Sequence, residues 1–168
     1  MPRFFQFILD LYSGIFFNFL NCIVYVLLYC IWDKRVVLKG LFMMYIKSMT
    51  EENFKTFYWD DRPCFINWEI AENHCSCNFG NPSGHSIAAI TMYFWIFYEF
   101  LFKMKSLYGK ISAIILFLLC TGMTALSRLY LGAHFMHQVI FGIIMGYMSI
   151  LIYLIVDVYK VDEHILNM

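Results

Sequence analysis

Charged residues are scarce in this chain of 168 residues. Lys, Arg, Asp and Glu together make up only 14% of it, and hydrophobic residues make up 61%. A soluble domain is usually about 25% charged and about 45–50% apolar. One small core cannot bury so much apolar surface, so we expect much of it to face lipid. Charge of one sign is not in excess either, because the formal net charge is zero, and this argues against a nucleic-acid partner.

We also expect no cleavable leader, and the sequence shows no internal repeat and no standard metal-binding pattern. Its N-terminal apolar stretch is long, is interrupted by polar residues and has no small-residue cleavage site, so we interpret it as a retained span. Cys64, Cys75 and Cys77 lie in the polar segment, where the spacing with His74 is not that of a zinc site. We therefore predict no metal. In an oxidising compartment these cysteines can form a disulfide bond, whose pairing the sequence leaves open.

Five apolar stretches are long enough, or nearly so, to cross a bilayer as helices of about 20 residues. The second is the weakest, and we interpret it as a short or oblique crossing that continues as an amphipathic helix toward Trp59. Gly142 and Gly146, in the fifth, predict close packing against a neighbouring helix. We predict an all-α fold, a single membrane-embedded domain over residues 1–168 with about five to six transmembrane helices. The stretches run from about Leu11 to Trp32, from near Val36, from Ser86 to Phe102, from Ile111 to Leu126 and from Met136 to Val156.

Basic residues collect on one side of this bundle if its helices alternate in direction. One basic turn lies around Lys34 and another around Lys105. The positive-inside rule assigns these turns to the cytosol. The loop from about Lys47 to Pro82 and the turn from Ser127 to Phe135 then face an organelle lumen or the cell exterior.

The run PSGH, at positions 82–85, precedes the third apolar stretch. Pro, Ser and Gly suit a turn into a helix start. Free backbone N–H groups at that start attract an anion, most naturally a phosphate. Gly84 lets the backbone approach such an anion closely, and His85 would lie beside it. Taken alone, the run fits an ordinary helix cap equally well.

Two further elements supply cations at the same face. Arg128 ends the fourth stretch and His134 opens the fifth, so a guanidinium fork and an imidazole can converge on one point. Lys55 and Arg62 share one face of a helix or flank its end, where we expect Pro63 to stop the helix. The alternative interpretation of the Lys55–Arg62 segment is a solvated charged face, which includes the neighbouring acidic residues Glu51, Glu52, Asp60 and Asp61.

The combination of three cations and two histidines is more specific than any of its parts. With no acidic cluster to hold a metal, it describes a metal-independent phosphate site. Cations neutralise the oxygens of a phosphoryl group in the transition state of transfer. One histidine can attack phosphorus while the other protonates the leaving oxygen.

These elements resemble the three signature motifs of the type 2 phosphatidic acid phosphatase and vanadium haloperoxidase superfamily. Its pattern is Lys-x6-Arg-Pro, then Pro-Ser-Gly-His, then Ser-Arg-x5-His-x3-Asp. The chain reads KTFYWDDRP at 55–63, PSGH at 82–85 and SRLYLGAH at 127–134. The resemblance covers a motif core over residues 55–138. It implies a membrane helical bundle of that family's kind and phosphatase activity on a phosphorylated small molecule or lipid.

Roles for individual residues follow from the same resemblance. His134 would be the nucleophile that forms a phosphohistidine. His85 would be the general acid for the leaving alcohol and then the base for the attacking water. No cofactor is implied. The resemblance also implies a set of residues that hold the phosphoryl oxygens: Lys55, Arg62, Ser83, Gly84 and Arg128.

One position departs from the pattern, because Gln138 replaces the aspartate that orients the histidine in the family. Glutamine accepts a hydrogen bond but supplies no charge. This leaves open a catalytically impaired protein of the same fold that binds phosphate or lipid. A vanadate-dependent haloperoxidase is disfavoured by the membrane spans.

The departure at position 138 also narrows the resemblance. The run SRLYLGAHFMHQV is similar to the third motif of glucose-6-phosphatases, which carry His-Gln at the same place. That similarity favours a sugar phosphate over a lipid phosphate as the substrate. It implies an integral, multi-pass enzyme of the endoplasmic reticulum whose site faces the lumen.

Overall fold

The described part of the chain is helical, which confirms the predicted all-α class. The computed structural model describes residues 34–67, 78–102 and 104–158. The first predicted span, from Leu11 to Trp32, lies outside these residues. The described helices are α1 (Lys34–Tyr58), α2 (Pro63–Ile66), α3 (Gly84–Ile96), a π-helical turn that continues it (Phe97–Phe102), α4 (Leu107–Tyr130) and α5 (Met136–Val158).

Two of the described helices are long and apolar enough to cross a membrane. They comprise Leu107–Tyr130 in α4 and Met136–Ile155 in α5, and they match the predicted fourth and fifth stretches. Only 17% of the apolar window of α4 is buried inside the bundle, whereas the core helix of a soluble protein buries its apolar face. An exposed apolar surface of this extent suits contact with lipid.

The second and third predicted spans do not meet the length and apolarity of a membrane span in the described helices. From Lys34 to Tyr58, α1 is one continuous helix, as expected for a segment that continues toward Trp59. The α-helical part of α3 has 13 residues, fewer than the about 20 that a bilayer core requires. Among the described helices, α1 and α3 do not combine the length and the apolarity of a span.

Helix α3 forms the centre of the bundle and packs against α5, α1 and α4. It is apolar around most of its circumference, which is the pattern of a buried helix. Ile90 and Trp95 contribute to a core that the neighbouring helices complete. The other buried members of that core are Val37, Met43, Met92, Ile150 and Tyr153.

Close packing between α3 and α5 depends on the two glycines that the sequence singled out. A Cβ atom at Gly142 would lie 2.7 Å from the carbonyl oxygen of Ser83, and one at Gly146 would lie 2.6 Å from Cβ of Ile90. Both distances are shorter than any normal carbon contact. The predicted close packing at these positions is therefore confirmed, and it occurs within the chain. It aligns the first turn of α5 with the first turn of α3.

A polar contact joins the π-helical turn to α5 and α1, far from the first turn of α3. The hydroxyl of Tyr153 donates to Oε1 of Glu99 at 2.7 Å, and Nζ of Lys39 lies 4.0 Å from the same oxygen. Glu99 is buried, so these partners compensate the cost of burying its polar side chain. Fifteen residues of helix separate Glu99 from Gly84, which corresponds to about 20 Å along the bundle.

Replacing Gly142 by alanine tests the contact that aligns α3 and α5. The added methyl group meets the backbone of Ser83, which cannot rotate away, so we expect Gly142→Ala to destabilise the protein by about 1–3 kcal/mol. Thermal unfolding of the detergent-solubilised protein measures this.

Gly122 in α4 is the matched control, because a Cβ there meets nothing within 4 Å. We expect Gly122→Ala to leave stability unchanged or to raise it by up to about 1 kcal/mol, as alanine favours a helix. Equal destabilisation by the two substitutions would contradict the packing described for Gly142.

Candidate active site

A polar cavity of about 150 Å³ lies at the end of the bundle where α1 ends, α3 begins and α4 ends. Six of the seven residues predicted to form one site line it, although they are far apart in the sequence. Ser83 is the exception. The lining residues are Glu51, Lys55, Arg62, Asn78, Gly84, His85, Arg128, Ala133 and His134.

The end of α1 separates Lys55 from Arg62. Trp59 has a φ of 46°, a left-handed conformation that ends the helix, and its N–H donates to the Lys55 carbonyl at 3.3 Å. We expected Pro63 to stop this helix. That expectation was wrong, because α1 ends at Tyr58 and Pro63 instead begins α2, where its missing N–H is harmless. Lys55 and Arg62 therefore flank the helix end and reach the cavity from two elements.

A glycine turn carries the chain from Arg128 to His134. Gly132 has a φ of 62°, which a residue with a Cβ rarely adopts. The N–H of Ala133 donates to the Arg128 carbonyl at 3.1 Å, a bond typical of a helix that closes on a left-handed glycine. The reversal turns the chain toward α5 and leaves the side chains of Arg128 and His134 at the same cavity.

Ser83 caps α3. Its side-chain oxygen accepts from the N–H of Ser86 at 3.4 Å and from the hydroxyl of Ser86 at 3.0 Å. The residue is fully buried. Predicted as a phosphate ligand, Ser83 contacts the helix start in this structure, while its neighbours Gly84 and His85 line the cavity.

Two acceptors surround Nδ1 of His134. The Gly80 carbonyl oxygen lies 2.9 Å away and Oε1 of Gln138 lies 3.2 Å away. Because neither oxygen can donate, the hydrogen bonds assign the proton to Nδ1. The lone pair of Nε2 is left on the side of Arg62, whose Nη1 lies 3.3 Å from it. A neutral imidazole with its Nε2 lone pair in the cavity is the form that a nucleophile needs.

Gln138 is fully buried, and hydrogen bonds define the orientation of its amide. Oε1 accepts from the N–H of Phe135 at 3.1 Å as well as from His134. Nε2 donates to the Asp61 carbonyl at 2.7 Å and to Oδ2 of Asp60 at 3.1 Å. The charge missing at position 138 is therefore present one hydrogen bond further away, on Asp60.

The cations of the site are held by oxygen atoms. Nε of Arg62 donates to the Asn78 carbonyl at 2.8 Å, and Nη2 donates to Oδ1 of the same residue at 2.5 Å. Nε of Arg128 donates to Oγ of Ser127 at 3.3 Å. Both arginines are buried, so their charges act in a poorly solvated place where they attract an anion strongly.

Glu51 is a carboxylate inside this cationic cavity. It forms ion pairs with Lys55 and Lys47 and lies so close to Gly84 that a Cβ there would overlap it. Burial alone would raise the pKa of Glu51, but the two lysine charges outweigh it and lower the pKa to about 2. Glu51 was not among the predicted site residues, and the alternative of a solvated charged face does not describe it. Its position four residues before Lys55, on the same helix face, was the available signal.

Both histidines of the cavity are held neutral. Burial is the main cause, and it lowers the pKa of His85 and of His134 to about 3. The positive charge of Arg128 lowers the pKa of His85 further, and that of Arg62 lowers the pKa of His134 further. The hydrogen bonds of His134 to Gln138 and Gly80 act in the opposite direction and raise its pKa.

Several residues of the site gave no usable signal in the sequence. Asn78 and Gly80 lie in an irregular segment, and only the folded chain brings them to Arg62 and His134. Asp60 appeared only in the alternative of a solvated charged face, and its carboxylate contacts Nε2 of Gln138 at 3.1 Å and Nε2 of His137 at 2.7 Å. Within residues 34–67, 78–102 and 104–158, no group of three or more His, Cys, Asp and Glu could hold a metal ion.

Comparison with known proteins identifies one family. The sequence model of the PAP2 superfamily matches residues 36–162, which is well over half of the chain. The match includes every residue that lines the cavity. No curated protein and no solved structure matches the chain.

The neutral histidines predict that stability falls as pH is lowered from about 7 to 5. In the unfolded chain a histidine binds its proton near pH 6.5, whereas these two bind theirs near pH 3 when folded. The unfolded state therefore binds more protons between these values, and the free energy of unfolding falls by up to about 1.4 kcal/mol per pH unit for each histidine. Thermal unfolding over this range measures the slope.

The variant His85→Asn/His134→Asn should have a flatter pH dependence over the same range. Glu51 does not interfere, because its proton uptake lies below its ordinary pKa of 4.5. An unchanged slope in the double variant would contradict the assignment of the effect to these histidines.

The position of Glu51 predicts that it competes with a bound anion for Lys55. Glu51→Gln keeps the size of the side chain and removes its charge, so we expect about a tenfold lower Kd for inorganic phosphate, or about 1.4 kcal/mol. Titration calorimetry on the solubilised protein measures this.

Glu52 is the matched control, because its side chain is exposed and belongs to the same helix turn. Glu52→Gln should leave the Kd within about twofold of the original protein. Weaker binding by Glu51→Gln would show instead that Glu51 supports Lys55 and does not compete with the anion.

Proposed function

Because this chain belongs to the PAP2 superfamily, which generally comprises phosphatases and other phosphoesterases, we propose that it is an integral membrane phosphatase that hydrolyses a phosphomonoester through a phosphohistidine. The observation that carries the proposal is the geometry of His134. Its Nδ1 is occupied by two acceptors, and its Nε2 lies in a cavity with three cationic side chains.

The cavity suits the phosphoryl group alone. Its volume of about 150 Å³ is below the about 300–1,000 Å³ of pockets that enclose whole ligands. Lys55, Arg62 and Arg128 would neutralise the oxygens of that group, and the N–H groups at the start of α3 would add donors. The alcohol portion of the substrate would then lie outside the cavity.

In the first chemical step, Nε2 of His134 forms a bond to phosphorus while the bond from phosphorus to the alcohol oxygen breaks. The departing oxygen takes a proton from His85, which binds that proton from solvent when the phosphorylated substrate enters the cavity. A phosphoryl anion bound next to His85 opposes the effects that lower its pKa, because an opposite charge favours the protonated imidazole. The Gly80 carbonyl stabilises the charge that His134 gains, through the Nδ1 proton.

In the second step, water attacks the phosphohistidine. His85, now neutral, takes a proton from the water as the oxygen bonds to phosphorus and the bond to His134 breaks. Inorganic phosphate then leaves, His85 releases its proton to solvent, and both histidines are neutral again. His85 takes one proton from solvent before the first step and returns one after the second, so the protons balance with His85 and solvent alone, and the proposed mechanism uses no metal and no cofactor.

We propose a sugar phosphate of the glucose 6-phosphate kind as the substrate, and a lipid phosphate is the second candidate. The first is supported by the pair His137-Gln138 and its similarity to glucose-6-phosphatases. In the structure both members of that pair contact Asp60, and only Gln138 also contacts His134. The second candidate is supported by the exposed apolar surface of α4, next to which a lipid substrate would arrive.

The proposed location is the endoplasmic reticulum membrane, with the cavity facing the lumen. Cys64, directly after Arg62-Pro63, is disulfide-bonded, and disulfide bonds persist in oxidising compartments. The candidate partners Cys75 and Cys77 lie outside the described residues. Basic residues at the other side of the bundle support the same orientation.

A protein that only binds phosphate or lipid is the competing hypothesis, and it rested on the missing aspartate at position 138. The hydrogen bonds of Gln138 weaken it, because Nδ1 of His134 retains two oxygen acceptors.

Phosphate release tests the proposal. We expect the purified protein to hydrolyse glucose 6-phosphate faster than phosphatidate, and we expect His134→Ala to reduce release at least about 10³-fold, as loss of a nucleophile does. Rapid quenching with a radiolabelled substrate should trap an acid-labile phosphoprotein in His85→Ala and none in His134→Ala.

His137→Ala is the matched control, because that histidine is mostly exposed and does not line the cavity. It should retain most of the activity. Equal and negligible release by the original protein and His134→Ala, on every ester tried, would leave the binding protein as the better hypothesis. Faster release from phosphatidate would exchange the order of the two substrates.

A further inference from the structure

Asp60 was not among the residues expected in the site, and it does not line the cavity. It nevertheless contacts both residues whose oxygen atoms accept the proton of His134. Its backbone oxygen accepts from the N–H of Gly80 at 2.7 Å, and its carboxylate accepts from Nε2 of Gln138 at 3.1 Å. One residue therefore holds the Gly80 backbone through its main chain and the Gln138 amide through its side chain.

The charge of Asp60 bears on the direction in which the Gln138 amide points. An amide offers donors at one end and an acceptor at the other. The carboxylate is an acceptor only, so it attracts the NH₂ end and leaves the oxygen toward His134. If the amide were reversed, its oxygen would face Oδ2 of Asp60 and the Asp61 carbonyl, and its NH₂ group would face the N–H of Phe135.

We propose that Asp60 is a positioning residue for His134, acting through Gln138 so that the imidazole keeps its proton on Nδ1 and its Nε2 lone pair on the side of the cavity that Arg62 lines. The role in catalysis rests on the proposed function. The hydrogen-bonded chain Asp60–Gln138–His134 polarises in one direction, because an ionised group at one end strengthens each successive bond. As His134 gains positive charge on attack, the Asp60 carboxylate, two hydrogen bonds away, stabilises that charge.

Close packing restricts the movement of the hydrogen-bonded series Asp60–Gln138–His134. A Cβ atom at Gly80 would lie 2.5 Å from Nε2 of Gln138 and 2.6 Å from its Oε1, so the glycine lets the backbone approach the amide. Gln138 is fully buried. The side chain of Asp60 is 30% exposed and also contacts His137, so the carboxylate remains partly solvated.

Single substitutions at Asp60 give the first test. Asp60→Asn keeps the shape and removes the charge, and we expect kcat to fall about tenfold with KM changed less than about twofold. Asp61→Asn is the matched control, because Asp61 contributes only its backbone carbonyl to Gln138 and is exposed. It should leave both constants unchanged. A kcat for Asp60→Asn within twofold of the original, at the same melting temperature, would overturn the proposal.

A charge exchange separates a positioning role from a merely structural one. Gln138→Glu keeps the length of the side chain but brings two carboxylates together, so this variant should be strongly impaired. Adding Asp60→Asn removes one of the two charges and supplies an amide that can donate to the introduced carboxylate. The double variant should therefore be at least about fivefold more active than Gln138→Glu alone. Independent effects of the two substitutions on kcat would overturn the proposal.

One readout does not depend on turnover. Nitrogen-15 NMR of the imidazole groups, with His134 assigned from His134→Ala, reports which nitrogen carries the proton. We expect the Nδ1–H form in the original protein and in Asp61→Asn, and a changed Nδ1 signal in Asp60→Ala. An unchanged signal in Asp60→Ala would overturn the positioning role even in an active enzyme. The expected change in a protein that releases no phosphate would defeat the proposed function instead.

Discussion

The close approach of α5 to α3 is the constraint on which the rest of the structure depends. It exists because Gly142 presents no side chain to the backbone of Ser83. At the same place the Ser83 N–H donates to the Gln138 carbonyl at 3.0 Å. The first turns of the two helices are thereby held side by side. Since His134 immediately precedes α5 and His85 lies in the first turn of α3, this one contact determines the separation of the two histidines.

Electrostatics explains why the cavity is suited to an anion. Three buried cationic side chains and the start of α3 face the cavity, so their attraction for a phosphoryl group is only weakly screened. Glu51 neutralises part of this charge when no substrate is present. The same burial keeps both histidines neutral, and that is the state in which one of them can attack phosphorus.

Support for His134 differs from what the motif alone suggested. The glutamine at position 138 implied a nucleophile without a charged partner. In the folded chain the Gly80 carbonyl is the nearer acceptor of the Nδ1 proton, and Gln138 connects the imidazole to Asp60. A deficit at one position of a motif is thus offset by residues from two other segments, which no spacing rule within the motif describes.

The sequence by itself determined the helical class, two apolar helices suited to a membrane, the close packing at Gly142 and Gly146, and six of the residues that line the cavity. These follow from local composition and from short motifs, in which neighbouring residues carry the signal. Only the tertiary structure decided where α1 ends, that Ser83 caps a helix outside the cavity lining, and that Glu51, Asn78 and Asp60 belong to the site. Their roles arise from contacts between residues distant in sequence. The sequence around a charged residue at a helix end is the same whether the side chain faces water or a buried cation, so it cannot distinguish the two.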